Sequence, residues 1–138
     1  MGFAGVVKLL DETKVVAVVT TRQNGDPVAT PIWSMVIDGV PYVRSVFGET
    51  AWWYKHVVAG RPVAFVDGDG SIAERDRDAA LVLPRVDVAL EPVPADDPVQ
   101  GAIDAEIERK YEGASRSSVD AMLAETAIAC TFRVDPRA

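Results

Sequence analysis

Two dipeptides constrain this chain more than anything else in it: Asn24-Gly25 and Asp38-Gly39. Such pairs supply the positive-φ residues that a tight β-hairpin needs. Both stand between apolar, β-branched runs. Before the first lies Val15 to Arg22 (VVAVVTTR), a strand by composition. Between the two lies Val28 to Ile37, where Val28, Thr30, Ile32, Ser34 and Val36 alternate with Ala29, Pro31, Trp33, Met35 and Ile37. After the second comes Val40 to Phe47 (VPYVRSVF). The spacing predicts three strands joined by two tight hairpins, an antiparallel meander. Pro31 has no N–H to give to a ladder, so the middle strand is expected at an edge or bulged there.

The remaining elements follow from caps and breakers. Gly5 to Leu10 reads as a short helical or irregular lead-in. Thr50 to Ala59 reads as a helix capped by Thr50, closed by Gly60 and forbidden to continue by Pro62. Val63 to Val66 is expected as a strand ended by the turn Asp67-Gly68-Asp69-Gly70. Ala79 to Leu83 and Arg85 to Leu90 read as further strands around Pro84, and Pro92, Pro94 and Pro98 mark a connector. Asp97-Pro98 opens a helix running to about Tyr111, with Val99, Ala102, Ile103, Glu106, Ile107 and Lys110 at helical spacing. A short helix from Ser118 to about Ala124 precedes a closing strand, Ile128 to Val134, with Ile128, Cys130, Phe132 and Val134 on one face. Six or seven strands, interspersed helices and no regular βαβ alternation indicate an α+β fold, an antiparallel barrel. At 138 residues the chain, 1–138, is expected to form one domain.

Charge narrows the partners. The net charge of −7 argues against nucleic acid and against an anionic membrane surface, which select for clustered Lys and Arg. The acids gather in the second half, whereas the first 55 residues are nearly balanced, so an anionic ligand would be better received by the N-terminal half. A single cysteine excludes an intrachain disulfide framework and fits a reducing cytoplasm. The apolar runs are too short to span a membrane, and the opening MGFAGVVKLLDETK lacks the basic n-region of a signal peptide. Val6 stands where a myristoylation signal needs Ser or Thr. The expectation is a soluble cytoplasmic protein.

Most catalytic constellations fail on the residues themselves. His56 is the only histidine, so no His-based zinc site can form, and a lone helical histidine reads as a surface or packing residue. Cys130 reads as a buried structural thiol. The run Asp67-x-Asp69-x-Ser71 with Asp78 in twelfth place echoes a calcium loop, but Ile72 occupies the position that needs glycine. Gly68-x-Gly70 lacks the third glycine and the helix of a dinucleotide fingerprint. No serine sits in a nucleophile elbow.

What remains is Pro27 to Lys55, which holds all three tryptophans and two of the three tyrosines. Two strand-like runs lead there into a helix, and the junction carries Arg44, Ser45, Gly48, Thr50 and Lys55. An aromatic wall beside a small polar, cationic loop suits a flat ring with a phosphate tail. The alternative is that Trp33, Tyr42, Trp53 and Tyr54 are core or dimer-interface aromatics.

The order TPIW, YVRS, then G-x-x-x-x-W-Y-K resembles the flavin-binding split β-barrels, the superfamily of pyridoxamine-phosphate oxidase and the deazaflavin-dependent reductases. It is most similar to the branch known as domain of unknown function 2255. Lys110-Tyr111, Val119-Asp120-Ala121-Met122 and the closing Thr131-Phe132-Arg133-Val134 extend the likeness over nearly the whole chain. The resemblance implies a six-stranded split barrel that dimerises, with a cofactor in a groove between protomers. It places Thr30, Pro31, Ile32, Trp33, Arg44 and Ser45 beside the ring, and Gly48, Thr50, Trp53 and Lys55 at the phosphate. One departure stands out. Where that branch is expected to show G-R-x-x-R-W-Y, this chain has Glu49 and Trp52, and an acid in a phosphate loop repels its ligand.

The functional expectation is a homodimer that binds FMN, or alternatively F420, and passes hydride to or from a small-molecule substrate, with no acid–base dyad and no metal. A cofactor carries such chemistry while the protein orients it. Arg44 and Lys55 are expected at its anionic portion, and Trp33 and Trp53 at its ring. The rival expectations are a dimer that binds a flavin or other planar ligand without turnover, and a cofactor-free split-barrel dimer.

Overall fold

The computed structural model describes residues 2–137. Its seven strands are β1 (Val16–Thr21), β2 (Pro27–Ile32), β3 (Ser34–Ile37), β4 (Val40–Arg44), β5 (Val63–Val66), β6 (Arg85–Val93) and β7 (Thr131–Pro136). They form one antiparallel sheet in the order β2-β1-β5-β6-β7-β4-β3, curled into a half-barrel. Seven helices decorate it: α1 (Phe3–Glu12), α2 (Trp52–Val58), α3 (Ile72–Arg75), α4 (Arg77–Leu81), α5 (Val99–Lys110), α6 (Arg116–Met122) and α7 (Glu125–Ile128). The expected α+β antiparallel split barrel is the fold observed.

The expected middle strand is two strands. It breaks at Trp33, and its halves lie at opposite edges of the sheet, so this one segment joins the two edges of the half-barrel. Pro31 accordingly sits in an edge strand, paired only with Ala17 of β1. The two hairpins differ as well. Asp38 and Gly39 both take positive φ, 51° and 80°, as a two-residue turn demands. At the first hairpin only Gly25 does so, at 93°, and the loop from Arg22 to Asp26 closes through Gly25 N–H to Arg22 O and Arg22 N–H to Asp26 O.

Alternation along the strands sorts the apolar residues into three cores. Val16 and Val18, Val63 and Phe65, and Phe132 and Val134 face the barrel interior, which α1 plugs with Val6 and Leu10 and α2 with Trp53. On the outer face, Ala17, Val19, Ala29, Ala64 and Val66 receive Ala73 of α3 and Ala80 of α4. At the other end, Met35 and Tyr42 pack against Ile103, Ile107, Val119 and Met122 of α5 and α6. Interior burial on this scale contributes about 25 cal/mol per Å² of apolar surface and drives the curl.

Four local expectations are corrected. Ala79 to Leu83 is not the expected strand: Ala79–Leu81 lie in α4, because Asp76 accepts from Ala79 N–H at 3.2 Å and small alanines let the helix lie close on the sheet. The strand expected from Ile128 begins only at Thr131, since the alanine-rich run before it winds into α7. Thr50 does not cap α2; Ala51 holds that position and Thr50 Oγ1 donates to Phe47 O at 2.7 Å. Pro92 belongs to β6, where β5 pairs only with Arg85–Val88, so its missing N–H interrupts no ladder there.

Candidate functional site

Between the seam at Trp33, the start of α2 and the side of α6 lies a groove of about 630 Å³. Seven of the ten residues singled out from sequence line it: Thr30, Pro31, Ile32, Trp33, Arg44, Thr50 and Trp53. The sheet edge, the broken strand and α2 thus meet where the aromatic segment folds back on itself. The α6 side contributes Ser117, Ser118, Ala121 and Met122. Trp33 presents one face only, because its ring is stacked on Tyr111 at 3.9 Å and 3° between planes. Phe47 and Trp52 line the groove and are 75% and 71% exposed.

Three of the expected residues stand elsewhere. Ser45 is fully buried and holds the loop, donating from Oγ to Gly48 O at 2.8 Å. Gly48 spends its N–H on Ser45 O, takes φ 61°, and a Cβ there would come 3.2 Å from Thr126 O. Lys55 lies over the Trp52 ring at 4.5 Å and faces a neighbouring space. Glu49, the acid that departs from the expected pattern, lines neither space. It lies on the side of Tyr54 and Cys130, whose hydroxyl and thiol are pushed up first by burial and, less strongly, by its charge.

Arg44 reaches the groove wall but is not free to bind an anion there. Its side chain is completely buried, and four of its five N–H donors are spent inside the fold. Nε donates to Thr131 Oγ1, Nη1 to Asp104 Oδ1 at 2.8 Å and to Met122 O, and Nη2 to Gln100 Oε1 at 2.6 Å. Burial disfavours its charge, and Asp104 offsets part of that. The expected cofactor contact is therefore a tie between β4, β7, α5 and α6.

A second pocket of about 430 Å³ adjoins the groove, sharing Thr30, Trp52, Trp53 and Arg77 with it. Arg22, Lys55, Arg61 and Arg77 line it with no carboxylate among the lining residues, although the chain carries −7 overall. None of the four pairs with an acid among the described residues. His56 forms its floor, 7% exposed, with Nδ1 2.9 Å from Thr20 Oγ1. Its imidazole is held below the usual range by burial, then by Arg61 and Arg22. Sequence reading missed Arg22, Arg61 and Arg77. Each abuts a turn or a helix start: Arg22 three residues before Gly25, Arg61 just after Gly60, and Arg77 opening α4. Nothing local says that these three junctions meet.

The model of the family described as "Uncharacterized protein conserved in bacteria (DUF2255)" matches residues 6–134. The chain belongs to this family. No curated protein matches the DUF2255 chain in sequence. Among solved structures it is similar to the heme storage protein HutZ from Vibrio cholerae (13% identity, 96% of this chain and 88% of that one, TM-score 0.62). It is also similar to the conserved hypothetical protein Rv2991 from Mycobacterium tuberculosis (18%, 100% and 81%, TM-score 0.62). A third likeness is to an F420 reductase (19%, 95% and 92%, TM-score 0.56). At these identities the likeness establishes the split-barrel fold. Among the described residues no helix is long and apolar enough to cross a membrane, and no group of three His, Cys, Asp or Glu side chains is placed to hold a metal.

Proposed function

We propose that this DUF2255 protein binds a flavin-type cofactor, FMN or F420, with the ring in the aromatic groove and the anionic portion directed toward Lys55 and Arg77. The observation that carries this reading is a pair of adjoining pockets, one largely apolar and aromatic and the other cationic, which share Thr30, Trp52, Trp53 and Arg77 in their walls. The larger of the two falls within the roughly 300–1,000 Å³ of ordinary ligand pockets. The likeness to an F420 reductase supports the same reading. HutZ is a heme storage protein, but the aromatic groove here offers heme iron no His, Cys or Tyr, and His56 lies in the adjoining pocket among Arg22, Lys55, Arg61 and Arg77.

Bound FMN or F420 would supply hydride chemistry to a small substrate. The protein's part is to orient the ring against Trp33 and Trp53, exclude water with the apolar wall and neutralise the tail. Exposed Phe47 and Trp52 support a homodimer in which a second copy covers the groove. The single, buried Cys130 suits a reducing cytoplasm.

The test is the visible spectrum of the purified protein before and after FMN or F420, followed by gel filtration. A flavin or deazaflavin band that co-elutes with protein is expected. A protein that retains neither, or that takes up hemin with a Soret band instead, overturns the reading. Bleaching of bound FMN by NADH or NADPH separates an enzyme from a carrier, and F420 requires a reductase-coupled assay.

A further inference from the structure

We infer that the pocket floored by His56 is a binding site for a dianionic phosphate, inorganic or as a monoester, in which His56 Nε2–H is a neutral donor among four cations. The inference stands whether or not a ring occupies the neighbouring groove.

Thr20 is completely buried, and among the described residues the only partner of its hydroxyl is His56 Nδ1 at 2.9 Å. A buried hydroxyl must give its hydrogen away, so Nδ1 accepts it, and the neutral ring then carries its own proton on Nε2. That N–H has no partner among the described residues. Among the described residues no buried side-chain nitrogen or oxygen is left unsatisfied, so Nε2 is open to the pocket that His56 lines. The residue is more than nine-tenths buried.

The cations around it come from four places in the chain: Arg22 from the first hairpin loop, Lys55 from α2, Arg61 from the turn before β5 and Arg77 from the start of α4. Two are already held in place. Arg61 Nη1 donates to Thr21 O at 3.3 Å, and Lys55 rests on Trp52. Holding four like charges together without a carboxylate is unfavourable, and a ligand of one charge would relieve little of it. A phosphate carries about −1.5 to −2 near neutral pH and presents several acceptor oxygens to donors arriving from different directions.

His56 is the only histidine in the chain, so a tag-free sample shows one imidazole Cε1–H resonance. Inorganic phosphate is titrated in at fixed ionic strength maintained with sodium chloride. The expected result is a saturable shift of that resonance and a higher apparent pKa for His56 in the presence of phosphate. Arg22→Gln and Arg61→Gln should each weaken phosphate about tenfold. Arg75→Gln, which removes the same charge from an exposed residue outside the pocket, should leave affinity unchanged. No saturable shift, or equal weakening by Arg75→Gln, overturns the site. Competition by FMN but not riboflavin assigns the phosphate to the cofactor, and phosphate binding without such competition assigns it to a separate ligand. FMN binding with His56 indifferent to phosphate sinks this site and leaves the groove reading intact.

Discussion

Arg44 and Arg61 carry the same guanidinium and lie within the same small barrel, yet they occupy opposite situations. Arg44 sits in a buried cage where Thr131, Asp104, Gln100 and Met122 O take its donors. Arg61 stands with Arg22, Lys55 and Arg77 around a pocket with no acid among its lining residues. Lys110 repeats the first arrangement. It donates to Leu10 O at 2.7 Å and Ser34 O at 2.8 Å, while Tyr111 beside it donates to Lys14 O at 2.6 Å and accepts from Ser34 N–H. A buried cation whose donors are nearly all taken up by the protein serves the fold, because its desolvation must be offset from within. A group of cations left without acidic partners keeps its field for something that arrives from solvent.

The sharpest way to break this contrast is Arg44→Ala. It strands Gln100, Thr131 and a carbonyl together, and leaves Asp104 without its cation. Removing one partner of a buried pair costs about 3–5 kcal/mol, and the lower end applies here because Asp104 is 38% exposed. Urea denaturation should show it, and a loss under about 1 kcal/mol would place Arg44 with the ligand-facing group instead.

Lys110 predicts a pH dependence of intermediate size. Burial lowers its pKa to about 8, below the ordinary 10.5. Between those values the unfolded chain holds the proton that the folded chain has released, so stability rises with pH, by at most about 1.4 kcal/mol per unit. Tyr111 is pushed by burial up to about 12 from 10, so the unfolded phenol ionises first and stability falls above pH 10. Denaturation midpoints should therefore climb from pH 8 toward 10 and then drop. In Lys110→Met the climb should vanish while the drop remains.

The smallest effect belongs to the open pocket. Arg22→Gln and Arg61→Gln should change stability by less than about 0.5 kcal/mol, measured in the same denaturation series. If Arg61→Gln costs as much as Arg44→Ala, the two sets of cations do not differ in kind.

Much of the fold was legible because its signals are local. Asp38-Gly39 marks a turn wherever it sits, and the β-branched run Val15 to Arg22 and the alternation from Ile128 to Val134 need only neighbours in sequence. The groove was partly legible for the same reason: Thr30 to Trp33 and Thr50 to Trp53 are short runs whose chemistry is visible in order. Ala79 to Leu83 was misread as a strand because the helix that takes up Ala79–Leu81 is secured by contact with alanines of β1, β2 and β5, distant in sequence. The role of Arg44 was misread because Gln100 and Thr131, which occupy it, are more than fifty residues away.

By itself the sequence determined the turns, the strand-rich N-terminal half, the clustering of aromatics and the family. Those properties depend on backbone preference and side-chain spacing within a few residues. Tertiary structure alone decided that the middle strand breaks at Trp33 and spans both sheet edges. It also decided that Arg44 is consumed by the core and that Arg22, Arg61 and Arg77 converge above His56. The physical reason is that a charged group's role depends on what lies within hydrogen-bond reach of it, and closure of the half-barrel sets those neighbours.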